Sequence, residues 1–404
     1  MPFMKKYDTL VFAVFALVLL TISSCKKSAV QNLPFDCNDW SYITTNTTIP
    51  AGIYTVNCNI EVAQGATLTI APGTQLYFTQ DGSLTVDLGA NLTAAGTASS
   101  PIVIRGSQQV QGYWQGILIN SISLQNVFSY CTIADGGAST GNSFNADVSI
   151  IGGTASFNNC TISNSSNCGI YIIGSGSNSA YFNNFTNNTL TGNNNYPLMT
   201  RVLAASKIGS GNSFSGNTYN YIGILSSTVT TNDTLRPWSV PYLFMQTGSD
   251  AGVTVTSALT IAPGTTIVMG SGISILASGT GSINAIGTAA SPITFSGLQN
   301  TVGYWGSVII NTQNTLNNFQ YCNFSYGGGT PVSGIEINEA NVGMLSTFMY
   351  ITASRSINVT NCSFSNSASS GIYVAAADGT PTPTFNSNIT TANTFTNCSP
   401  NVQQ

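Results

Sequence analysis

A stretch of 70 residues occurs twice in this chain, at positions 68–137 and 259–328, and the copies align without a gap. Leu68-Thr-Ile-Ala-Pro-Gly-Thr74 returns letter for letter as Leu259-Thr-Ile-Ala-Pro-Gly-Thr265, an offset of 191 residues. Gly112-Tyr-Trp114 matches Gly303-Tyr-Trp305 at the same offset, and Tyr130-Cys131 matches Tyr321-Cys322. An internal repeat constrains the fold before any other feature does. A finer period runs inside it. Leu68, Leu76, Leu84 and Leu92 stand eight residues apart, as do Leu259, Ile267, Ile275 and Ile283.

Each eight-residue unit opens with a triplet such as Leu68-Thr69-Ile70 or Leu84-Thr85-Val86. In a strand, positions one and three of such a triplet share a face and the middle one faces away. Pro72-Gly73, Asp81-Gly82 and the turn residues around Gly89 separate the triplets. A chain that turns every eight residues and restacks after 24 is expected to be all-β, a parallel β-helix (solenoid) in two tandem repeat modules. Leu68 should then lie on Leu92. Asn158 and Asn183 are a candidate side-chain ladder between neighbouring coils. Thr69, Thr85 and Thr93 are expected on different strands of a coil, and so not as a flat threonine array of the ice-binding kind. The pace predicts about 15 coils at ~4.8 Å each, a rod roughly 70 Å long.

Composition narrows the chemistry. Only 5% of residues are charged and 42% are apolar, so the chain is not of the disordered kind. Histidine is absent, which removes Ser-His-Asp triads, Cys-His pairs and histidine-built zinc sites. A net charge of −4 without a basic patch argues against a nucleic-acid partner. No P-loop or dinucleotide fingerprint occurs.

Residues 1–24 read as an export signal: Lys5 and Lys6, an apolar run from Leu10 to Ile22, then Ser23-Ser24. Leu20-Thr-Ile-Ser-Ser-Cys25 resembles the lipobox of bacterial lipoproteins, which implies acyl chains on Cys25 and lasting attachment to a membrane. Residues 25–46 would be a lipidated tether. Lys26 after the cysteine resembles outer-membrane sorting, with the periplasmic or surface face left open.

Eight further cysteines follow Cys25. Cys131 and Cys322 are repeat equivalents, and Cys160 in Phe157-Asn-Asn-Cys160 corresponds to Cys362 in Val359-Thr-Asn-Cys362. Fixed coil positions suit small buried thiols stacked along the rod, and Cys37–Cys58 is the pair best placed for a disulfide.

Catalysis would have to rest on carboxylates. Glu61 should stack on Thr85 and lie diagonal to Asp87, making Glu61 and Asp87 the candidate catalytic pair. Asp81 should lie near Arg105, whereas Glu336 and Glu339 should point to opposite faces of a strand. Solvated surface carboxylates are the competing reading of all of these. Tyr113, Trp114, Tyr304 and Trp305 either stack on sugar rings or pack at a corner of the coil. Asp233-Thr234-Leu235 resembles an O-glycosylation acceptor at Thr234, or is a plain turn. No metal-ligand spacing is found.

Leu-Thr-Ile-Ala-Pro-Gly-Thr, Gly96-Thr-Ala-Ser-Ser-Pro-Ile102, Gly-Tyr-Trp and Tyr-Cys followed by Gly-Gly together resemble the right-handed parallel β-helix proteins of the pectin-lyase-like superfamily, in particular tandem-module Gram-negative envelope lipoproteins. A shift of composition over Thr228–Pro237 divides the chain into modules at 47–227 and 238–404, joined by a linker or turn at 228–237. Enzymatic relatives cleave acidic polysaccharides with calcium held by clustered acids and an Arg or Lys base, or with neighbouring aspartates. Neither constellation is legible here. The expectation is therefore a lipid-anchored, non-catalytic envelope protein for adhesion or glycan binding, without cofactor. Its expected partners are the outer membrane and a polysaccharide or another envelope protein. The alternative is a lyase or glycoside hydrolase, calcium-dependent in the lyase case.

Overall fold

The computed structural model describes residues 32–138, 146–174, 179–248, 252–312, 314–329, 349–352, 356–375, 384–385 and 387–403. Cys25, Glu336, Glu339 and Arg355 lie outside them. Among the described residues every ladder between strands is parallel, and the strands form sheets of 7, 14, 6, 7 and 6 members. We call these sheets 1 to 5 in that order. The chain is a right-handed parallel β-helix, the hand that strand–crossover–strand connections take.

Leu68 pairs with Leu92 in register, as do Ile60 with Leu84 and Leu84 with Ile117. These side chains are fully buried. The inward positions of each triplet thus form columns along the axis, and burial of those columns is the main force for folding. Repeat-equivalent columns differ in content. Ile104 and Ile133 of the first module become Phe295 and Phe324 in the second, where rings stack 4.8 Å apart, about one coil spacing.

Sheet 2 runs the length of the described rod, from Tyr42–Ile43 to Thr394–Thr396. Its 14 strands span roughly 60 Å at ~4.8 Å per step. The other two faces are each interrupted once. Sheets 1 and 3 end near residue 191, and sheets 4 and 5 begin at Ser227–Val229 and Asp233–Leu235. Residues 228–237, read above as a linker or turn, therefore carry strand residues of the coil.

Across this break the repeats are one face out of phase. Gln75–Phe78 belongs to sheet 1, but its equivalent Thr266–Met269 belongs to sheet 2. Likewise Ser83–Val86 lies in sheet 2 and Ser274–Gly279 in sheet 4. The 191-residue offset amounts to whole turns plus one third. At the break a short helix, α1 (Val202–Ser206), takes the place of a strand. It packs between Tyr181–Thr186 and Asp233–Leu235. A second short helix, Cys37–Trp40, covers the first coil with Asp36 capping its start.

Two expected pairings are corrected. Asn158 pairs with Thr186 because this coil takes 27 residues before the bulge at Ala155/Ser156 and 28 after it, and Asn183 donates instead to Ser156 Oγ at 3.3 Å. Asparagine ladders do exist, at the turns. Asn188 Nδ2 donates to Asn212 Oδ1 at 3.1 Å, and Asn193 Nδ2 to Asn217 Oδ1 at 2.8 Å. Asn126 and Asn317, repeat equivalents, each accept from a strand N–H of the preceding coil. Thr69 and Thr93 lie in register on sheet 3, with Thr48 before them, because 24 residues is one full coil.

Candidate functional site

The sequence-derived candidates fall in several places. Glu61 does sit on Thr85, on the open outer face of sheet 2. Its carboxyl is raised above the usual range by partial desolvation first, then by the charge and hydrogen bond of Asp87. The two acids therefore meet, but on an exposed flat strand with Tyr42 as the next neighbour.

Trp114 and Trp305 are core residues, fully buried. Trp114 stacks on Phe78 with centroids 4.5 Å apart and donates Nε1–H to Ala134 O at 2.7 Å; Trp305 donates to Ser325 O at 2.8 Å. Neither indole is available to a sugar. Tyr113 and Tyr304 are half-buried beside them. Thr234 pairs in register with Thr260, and its neighbour Asp233 is buried. The motif is strand, not turn.

Arg105 does not meet Asp81. Its register partner one coil back is Tyr77, and it reaches forward to Asp135, which it grips with Nε at 2.7 Å and NH2 at 3.0 Å. Asn164 Nδ2 also donates to Asp135, at 2.7 Å. Asp147, wholly buried nearby, accepts from Gly136 N–H at 2.6 Å while its Oδ2 has no hydrogen-bond partner. Burial pushes the Asp147 carboxyl well above the usual range, the Gly136 N–H opposes this, and the charge on Asp135 adds to the rise. Among the described residues no group of three or more acid or cysteine side chains is placed to hold a metal ion.

The cysteines divide as expected. Cys37 and Cys58 form a disulfide. Cys131 hydrogen-bonds to Cys160 and Cys322 to Cys362, so each repeat carries one stacked thiol pair. The hydrogen bond to its partner and burial hold the Cys131 and Cys322 thiols up. The same contact lowers the partner thiols, Cys160 and Cys362.

The feature that sequence reading missed is the cavity at the break between the modules. It measures about 310 Å³ and is lined by the corner at Gly174 and Ala180, by Arg201 and Leu203 at α1, and by Ser227, Thr228, Thr231 and Asp233. Its acid is already satisfied. Asp233 accepts from Ser206 Oγ at 2.7 Å and Thr231 Oγ1 at 2.9 Å, with Lys207 Nζ at 3.8 Å. Its cation is not. Arg201 Nε is buried without a partner, and so is Ser227 Oγ. A buried donor left unmade costs about 1–3 kcal/mol, so such groups mark a place a ligand can complete. The sequence signal was the loss of strand triplets between Arg201 and Tyr221, where Val-Leu-Ala-Ala-Ser favours helix.

Residues 41–151 match the family model of the pectate-lyase-like β-helix domain. The β-helix domain so matched holds Glu61, Asp87, Arg105 and Asp135, and the same parallel coil continues beyond it to the last described strand. The Arg201 cavity lies outside the matched residues. No curated protein and no solved structure matches the chain.

Proposed function

We propose that this protein is an exported, lipid-anchored β-helix that binds glycans without cleaving them, and that the break between its modules is the binding site. The observation that carries this reading is the cavity itself: an unpaired Arg201 Nε and Ser227 Oγ among threonine hydroxyls, with the one acid already neutralised by Lys207. That surplus of positive charge and hydroxyl donors suits the carboxylate or sulfate of an acidic sugar. Cys25 would hold the rod at the outer membrane through its acyl chains.

The test is binding of an array of acidic glycans to the wild type and to Arg201→Ala/Ser227→Ala. Binding that the double substitution abolishes supports the proposal; equal binding by both proteins removes it. Anchoring is tested separately, since Cys25→Ser should move the protein from the membrane fraction to the soluble one. The second reading, a lyase or glycoside hydrolase at Glu61 and Asp87, draws on the carboxyl coupling of that pair. It requires Glu61→Ala/Asp87→Ala to abolish cleavage of a uronate polymer. A wild type that leaves such polymers intact ends it.

A further inference from the structure

Each module carries a pair of thiols at the same point of its coil, and the backbone places all four alike. Thr132 pairs in register with Thr161, and Asn323 with Ser363. Cys131 and Cys160, and likewise Cys322 and Cys362, are the residues just before these paired positions. A residue in the left-handed region precedes every one of them: Tyr130, Asn159, Tyr321 and Asn361, with φ of 49°, 54°, 49° and 56°. The cysteine that follows each of these corner residues is buried.

The two pairs sit in matching frames. Cys131 Sγ donates to Ala94 O at 3.2 Å, and Cys322 Sγ to the repeat-equivalent Ala285 O at 3.3 Å. On the other side, Asn188 Oδ1 accepts from the Cys160 N–H and Asn393 Oδ1 from the Cys362 N–H, both at 2.9 Å. In-register neighbours of a parallel sheet stand about 4.8 Å apart, inside the ~4.4–6.8 Å between Cα atoms that a disulfide spans. Packing alone asks only for small apolar side chains here. Two thiols in contact, in both modules, add a reaction that alanine lacks. The contact lowers Cys160 and Cys362, so each pair has one thiol readier to ionise beside a second that can resolve its oxidised form. Tyr130 and Asn361 are exposed, which puts the pairs one residue beneath a corner of the rod. That depth favours a small oxidant over a bulky one.

We propose that Cys131–Cys160 and Cys322–Cys362 are dithiol sites for hydrogen peroxide, which closes them into disulfides that staple consecutive coils. The sulfur of Cys160 or Cys362 attacks one peroxide oxygen. The O–O bond breaks, and the departing hydroxide takes the thiol proton as water, leaving a sulfenic acid. The neighbouring thiol, Cys131 or Cys322, then attacks that sulfur; the S–O bond breaks and a second water leaves with its proton. Two thiols lose two electrons, and one peroxide is reduced to two waters.

Cys168 is the internal control: it is buried too, but it lies between Ala146 and Tyr196 in the neighbouring coils and has no thiol beside it. The test uses the full-length Cys25→Ser/Cys398→Ser protein, treated folded with hydrogen peroxide, then quenched, unfolded and alkylated without reductant for mass spectrometry. The four paired thiols should escape alkylation and appear as the linked peptides Cys131–Cys160 and Cys322–Cys362, while Cys168 is alkylated in full. A reductant should restore all of them. Cys160→Ser should abolish the first link and leave the second unchanged in the same molecule. Paired thiols that remain alkylatable at a peroxide concentration that oxidises a free small-molecule thiol overturn the proposal, as do links that join Cys168 to either pair. The oxidised protein should also unfold at a higher denaturant concentration than the reduced one, as a staple between coils requires. Equal midpoints overturn the staple.

Discussion

Arg105 and Asp135 are bound to each other by two hydrogen bonds from consecutive coils, and Asp135 is wholly buried. This pair exists in the first module alone, since the equivalent positions hold Ser296 and Tyr326. Arg105→Ala would strand a buried carboxylate beside a second one, Asp147. The expected cost is about 3–5 kcal/mol. Arg105→Lys, which keeps the charge and loses the fork, should cost less. Denaturant unfolding measures both, and an alanine variant as stable as the wild type would contradict the assignment.

Asp147 makes stability depend on pH in the opposite sense to a salt-bridged acid. Its folded-state carboxyl binds a proton more tightly than in the unfolded chain, chiefly through burial. The stabilisation is therefore complete below the unfolded value of about 3.9 and is lost as pH rises through the folded value. Asp147→Asn, which cannot ionise, should be at least as stable as the wild type at neutral pH and should flatten the midpoint-versus-pH curve above pH 4. A wild-type curve that rises steadily over that range would count against it.

Trp114 tests core packing against sugar contact. Trp114→Ala should destabilise the fold by about 3–5 kcal/mol through loss of its stack on Phe78 and the cavity left behind. Trp114→Phe should cost less and leave glycan affinity unchanged, because the indole never reaches solvent. Reduced affinity in a fully folded Trp114→Phe protein would return this residue to the binding surface.

Thiol accessibility distinguishes stacked cysteines from a disulfide framework. In a Cys25→Ser chain six thiols are free, five of them buried and Cys398 partly exposed. A thiol reagent should label Cys398 first and all six only after unfolding. Buried thiols raised by desolvation, as Cys168 is to about 12, react slowly for want of thiolate. Fewer than six thiols in denaturant would reveal a further disulfide.

The coil was legible because its cause is local and repeated. An apolar residue every eight positions, with a turn between, leaves the chain one way to bury each triplet, and Leu68 meets Leu92 as that spacing requires. The same arithmetic placed Glu61 on Thr85 and set Cys131 and Cys322 at equivalent points. It failed where the period is broken. A coil of 27 to 28 residues moved Asn183 off Asn158, and a 28-residue step back from Arg105 reaches Tyr77 rather than Asp81, leaving its guanidinium to Asp135.

From sequence alone came the solenoid, its 24-residue rung, its repeat and the burial of its columns, since each follows from contacts at a fixed separation along the chain. Tertiary structure decided the one-face phase shift between modules, the helix that replaces a strand at Val202–Ser206, and the Arg201 cavity that results. Those depend on how many residues each irregular turn consumes, and no periodic signal records that. The cavity arises where the regular winding is interrupted, so its residues carry no shared pattern until the coil brings Gly174, Arg201 and Ser227 to one place.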